Sequence, residues 1–95
     1  MKVINDPIFL SELKDILQNI AKDKQSASHK FKNDLRQKIK QIPGNPFMYR
    51  KSIYFNNVNV RDMIYKGYTI IYEVNLKNNT LEILSIFNKN KPDKI

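Results

Sequence analysis

Ninety-five residues with a net charge of +8 and no cysteine exclude a disulfide framework, thiolate chemistry and any cysteine-built zinc site. The single histidine, His29, cannot assemble a metal site alone, and no apolar run approaches the roughly 20 residues of a membrane span. With no signal peptide at Met1–Asp6, the expectation is a soluble cytoplasmic protein of one domain, large enough for a core without staples.

In chain order, Lys2–Ile4 reads as a short strand within residues 1–5, ended by Asn5-Asp6-Pro7. Pro7 suits the first turn of a helix, with Asp6 or Asn5 as its cap. Phe9, Leu13, Ile16, Leu17 and Ile20 then recur at helical spacing and form one apolar stripe. After a short connection at Asp23–Gln25, Ser26 is the expected cap of a second helix with the stripe Ala27, Phe31, Leu35, Ile39 and Ile42. Two helices joined so briefly form an antiparallel hairpin over residues 7–42. Pro43-Gly44-Asn45-Pro46 ends it. A linker over 43–57 follows, with Tyr49-Arg50-Lys51-Ser52 expected to be exposed and basic.

Positive charge is concentrated here. Lys22–Lys51 carries nine basic residues against Asp23 and Asp34, seven of the eight net charges. Such a run is either a solvated helix face or the footprint of an anionic partner, nucleic acid or an acidic protein.

Residues 58–88 read as a three-stranded antiparallel meander. Val60–Lys66 and Tyr68–Val74 are β-branched and aromatic, with Gly67 the only breaker. A Lys66-Gly67 turn pairs Tyr65 with Tyr68. A turn at Asn78-Asn79 would pair Glu73 with Leu84 and start a strand over Thr80–Asn88. Alternation then sorts the side chains. Arg61, Met63, Tyr65, Tyr68, Ile70, Tyr72, Val74, Leu81, Ile83, Ser85 and Phe87 face the helices. Val60, Asp62, Ile64, Thr69, Ile71, Glu73, Glu82, Leu84, Ile86 and Asn88 form a second, working face. A slip of one residue in either turn exchanges these roles. Residues 89–95 are a lysine-rich tail. The fold class is α+β: an N-terminal strand and a two-helix hairpin on an antiparallel sheet.

Taken together, the short strand, the two helical stripes, the proline-bearing linker to Tyr49-Arg50-Lys51-Ser52, and Val60–Val74 followed by Leu81–Phe87 resemble the RelE/ParE toxins of bacterial type II toxin–antitoxin modules. The resemblance covers nearly the whole chain and is closer to a ParE-like layout. It implies a growth-inhibiting toxin neutralised by a cognate antitoxin, an acidic and partly disordered protein whose segment wraps the toxin. ParE-like members act on DNA gyrase; RelE-like members cut mRNA in the ribosome.

The residues favour the first. RNA cleavage needs groups that activate the 2′-hydroxyl, stabilise a charged phosphorane and protonate the leaving oxygen. RelE-like toxins draw these from basic residues on the exposed face, an Arg after the Gly-Tyr turn and His, Arg or Tyr after the last strand. Here Thr69 follows Gly67-Tyr68, Val60 and Asp62 occupy the strand positions, and Asn88-Lys89-Asn90-Lys91 follow Phe87. Asp62, Glu73 and Glu82 would repel a phosphate backbone.

Were the chain an endoribonuclease, Arg61, Lys89 and Lys91 are its candidate catalytic residues. Arg50, Lys51, Arg61, Lys66, Lys89 and Lys91 are the candidate contacts to a target or nucleic acid. Ile64, Ile71, Leu84 and Ile86 are the candidate antitoxin-binding patch, with the adjoining groove beside the helices as the alternative. Glu73 and Glu82 read as solvated or lysine-paired carboxylates, Tyr65, Tyr68 and Tyr72 as core residues with wet hydroxyls, and His29 as a surface residue. No phosphate loop, nucleophile elbow or metal-ligand spacing is present, so neither cofactor nor metal is expected. A catalytically degenerate module that only binds its antitoxin is the third reading.

Overall fold

The computed structural model describes residues 1–88; the 89–95 tail, with Lys89 and Lys91, lies outside the described residues. A strand β1 (Lys2–Asn5) is followed by helices α1 (Pro7–Asp23) and α2 (Gln25–Gln41), a 3-10 turn (Ile42–Gly44), and strands β2 (Arg50–Lys51), β3 (Val60–Tyr65), β4 (Tyr68–Asn75) and β5 (Thr80–Asn88). The sheet has five strands in the order β1-β5-β4-β3-β2. The meander β3-β4-β5 is its antiparallel centre, β1 adds parallel to β5, and β2 adds antiparallel to β3.

Local chemistry sets the helix ends. Pro7 opens α1, and the Asp6 carboxylate accepts a hydrogen bond of 2.8 Å from the Ile8 N–H, satisfying an otherwise orphaned donor. Lys24 alone joins the helices. Its backbone is extended (φ −157°, ψ 114°), so α2 starts at Gln25. Ser26 is therefore one residue inside the helix rather than its cap. Ser28 does the joining instead, its hydroxyl donating to the Leu17 carbonyl at 2.9 Å.

The helical stripes and one sheet face make the main core. Phe9, Phe31, Leu35 and Ile42 meet Met63, Tyr65, Ile70, Tyr72, Val74, Leu81, Ile83 and Ile86. Burial of this apolar area is the chief stabilising term. Rings add directional contacts, Phe31 lying 5.3 Å from both Tyr65 and Tyr68. One expectation about the tyrosines is corrected: the Tyr72 hydroxyl is not wet but buried, donating to the Pro46 carbonyl at 2.7 Å. The Tyr65 hydroxyl donates to the partly exposed Asp34 carboxylate at 3.3 Å.

The first hairpin has the expected register, Tyr65 opposite Tyr68, with Lys66 and Gly67 both at positive φ, as a two-residue type I′ turn requires. The second does not. Leu76–Asn79 form a four-residue connection, Asn75 pairs with Thr80, and Glu73 faces Glu82 rather than Leu84. The Asn75 side chain accepts from the Asn78 N–H at 3.0 Å and Asn79 takes φ 55°, which stabilises the longer turn.

The larger departure is a bulge. Tyr72 pairs with Ile83 but Ile71 with Ser85, so Leu84 is an extra residue on β5 and the alternation resets after it. Glu12 of α1 holds this irregularity: its Oε1 accepts from the Ser85 hydroxyl at 2.7 Å and from the Ile86 N–H at 3.1 Å.

Candidate functional site

The bulge redistributes the expected working face. Ile86 turns into the helix-covered core, 1% exposed, and Phe87 turns out onto the second face. Ile86 is thus unavailable to a partner, a correction caused by one inserted residue. Ile71 does lie on the second face but is buried with Val60 and Phe87 under Tyr54, with half-buried Leu84 at the margin. Tyr54 stacks edge-on against Phe87 at 5.2 Å. Of the four residues expected to form an open apolar patch, only Ile64 is exposed.

The cover is the loop 52–59, and a buried carboxylate anchors it. Asp62 is 2% exposed. Its Oδ2 accepts from the Ile53 N–H at 3.1 Å and pairs with Arg50 at 3.4 Å. Ser52 is buried, bonded through its N–H to the Val60 carbonyl at 2.8 Å and through its hydroxyl from the Tyr54 N–H at 3.1 Å. Tyr49 packs against the core. The stretch Tyr49–Ser52 is therefore only half as exposed as expected: Arg50 and Lys51 are at the surface, their neighbours are not.

Arg61, the first candidate for catalysis, is a clamp for the linker. Its guanidinium donates to the carbonyls of Val58 (3.0 Å), Tyr49 (3.1 Å) and Phe47 (3.3 Å), and it stacks 4.8 Å from the Phe47 ring centroid. Lys66 is exposed at the turn, 5.6 Å from the Tyr65 ring centroid. Thr69 is fully buried, and neither its hydroxyl nor Asp62 Oδ1 has a partner among the described residues.

Where the second face meets β1 it is acidic. Glu73 and Glu82 face each other across β4 and β5, with Asp6 at the end of β1 beside them. Burial above all, then Asp6 and Glu73, pushes the Glu82 carboxyl above its ordinary value. Of the two expected states, solvated or lysine-paired, neither glutamate shows the lysine pair among the described residues, and both are half-buried. On the other side, burial pushes the Tyr72 phenol up to about 12, and burial followed by Asp34 raises Tyr65.

A groove of about 300 Å³ runs between β1 and the helices. Val3, Phe9, Leu13, Leu35 and Ile39 line its floor, and Lys32, Arg36 and Lys40 its rim. Those three cations recur every four residues, one row along α2, and make no ion pair among the described residues. Their spacing was visible in the sequence; that the row borders an apolar floor was not. His29 is exposed and lines a second, more open depression of about 480 Å³ between the helices.

A helical hairpin on one face of a mostly antiparallel sheet, with an N-terminal strand at its edge, is the architecture of the RelE/ParE toxin superfamily. The family model described as ParE toxin of type II toxin-antitoxin system, parDE, matches residues 3–91. The chain belongs to that family, and membership implies a cognate antitoxin as partner. No protein of curated function matches the chain. No helix among the described residues is long and apolar enough to cross a membrane.

Proposed function

We propose that this toxin arrests growth by binding a cellular protein, with DNA gyrase the candidate, rather than by cutting RNA. The observation that carries the reading is the condition of the second sheet face. A phosphorane needs preorganised cations and a proton donor at the reacting phosphate. Here that face carries buried Thr69, buried Asp62 and a Tyr54 cover, and Arg61 is engaged with three linker carbonyls. Lys89 and Lys91 remain the nearest basic residues in sequence, and they are the alternative's best support.

The antitoxin is assigned to the groove between β1, α1 and α2. An apolar floor with a row of unpaired cations suits an acidic amphipathic segment, the apolar side chains supplying affinity and the charges steering and orientation. Arg50 and Lys51 stand on β2, at the opposite edge of the sheet from β1.

Induction of the toxin without its antitoxin tests the mechanism. Expected are growth arrest, inhibited supercoiling by purified gyrase and intact messages. Primer extension that finds codon-positioned cuts in translated mRNA overturns the reading in favour of a ribosome-dependent endoribonuclease. Absence of any growth effect favours a module that only binds its antitoxin.

A further inference from the structure

The loop 52–59 carries three exposed large apolar side chains: Ile53 is 67% exposed, Phe55 48% and Val58 58%. Isolated exposed apolar residues are ordinary, but three within six residues make a patch that favours a partner. The loop is also fixed at both ends. Ile53 is held by Asp62, Tyr54 by Ser52 and the Phe87 ring, and Val58 by Arg61. At its far end the Asn57 side chain accepts from the Asn59 N–H at 2.9 Å. A patch presented on so constrained a segment loses little conformational entropy on docking.

Charge selects the kind of partner. Among the described strand residues, alternation puts Lys2 and Arg50 on this side of the sheet against Asp62, Glu73 and Glu82, a net −1. The basic helix α2 packs on the opposite side. Phosphates of nucleic acid or of an anionic bilayer would meet carboxylates here, with most cations on the wrong side of the sheet. We propose that the loop 52–59 is the docking element for a protein partner, inserting Ile53, Phe55 and Val58 into an apolar pocket bordered by basic residues. The surface is opposite in charge to the groove beside β1, so acidic antitoxin and basic-rimmed target engage different sides of the molecule. The inference rests on the toxin reading, in which this partner is the growth target.

The variants to compare are Ile53→Ser/Phe55→Ser/Val58→Ser, the conservative Ile53→Leu/Phe55→Tyr/Val58→Ile, and Glu73→Lys. Each is followed by thermal unfolding and by the inducer concentration that arrests growth. The serine variant should unfold as the wild type does yet need about tenfold more inducer or more, the usual consequence of truncating hot-spot anchors. The conservative variant should arrest growth normally, and Glu73→Lys should weaken arrest even if the serine variant folds poorly. Undiminished arrest by a folded serine variant together with Glu73→Lys overturns the docking role and leaves the toxin reading intact; a wild-type chain that fails to arrest growth overturns both. Co-sedimentation of the wild type with phosphatidylglycerol vesicles, abolished in the serine variant, reassigns the patch to a membrane and overturns the protein partner.

Discussion

At the scale of single residues, Arg61 ties the linker to β3 through its guanidinium. Arg61→Ala removes three charge-assisted bonds to the linker and a stack on Phe47. A loss of about 2–3 kcal/mol of stability is expected in denaturant unfolding. A catalytic arginine would instead lose activity at unchanged stability. Thr69→Val exchanges a fully buried, unpartnered hydroxyl for a methyl of the same shape. It should raise stability by up to about 1 kcal/mol without affecting growth arrest. Glu82 yields a pH dependence. Its folded carboxyl binds a proton more tightly than the unfolded one, so stability falls as pH rises from the ordinary carboxylate value of about 4.5 through the raised one. Glu82→Gln should therefore raise the unfolding temperature at about pH 7 and leave it unchanged at about pH 3, as calorimetry at the two values can establish.

At the scale of elements, the bulge on β5 decides what each face contains. A regular strand would point Ile86 away from the helices and Phe87 toward them. With Leu84 extra, the positions exchange. The helix α1 pays for the irregularity with Glu12, whose carboxylate takes up the Ile86 N–H and the Ser85 hydroxyl. Glu12→Ala leaves both donors in a partly buried strand without that acceptor and should cost about 2–3 kcal/mol. Amide exchange at Ile86 should quicken more than at Ile70 across the ladder, locating the loss at the bulge; uniform quickening would mean that Glu12 matters only to helix packing.

At the scale of the whole molecule, the sheet separates two surfaces of opposite charge. Helices and their cations cover one side, and the pinned loop and the carboxylates occupy the other. An antitoxin in the groove beside β1 should lose at least about 2 kcal/mol of binding when Leu13→Lys puts a charge into the apolar floor. Arg36→Glu should mainly slow association, and the slowing should fade with added salt. Titration calorimetry and stopped-flow mixing with the cognate antitoxin measure the two. An unchanged dissociation constant for Leu13→Lys moves the antitoxin elsewhere.

The sequence by itself determined the helical hairpin, the short N-terminal strand, the Lys66-Gly67 turn and membership of the fold, because each depends on neighbours within a few positions: a stripe of period 3.6, a proline at a first turn, a glycine at positive φ. It also showed that Thr69, Val60 and Asp62, at positions where the resemblance to RelE-like members would put cations, carry none. What only the tertiary structure decided are the relations between distant segments. The bulge depends on Glu12 meeting Ser85 across 73 positions. The burial of Ile71 depends on a loop that folds back over β4 because Asp62, nine residues beyond Ile53, holds it. Arg61 reads as a candidate catalytic or target-binding cation until Phe47 and Tyr49 bring their carbonyls to it. Local periodicity fixes which face a residue takes only while the strand stays regular, and one inserted residue, stabilised from far along the chain, reverses it.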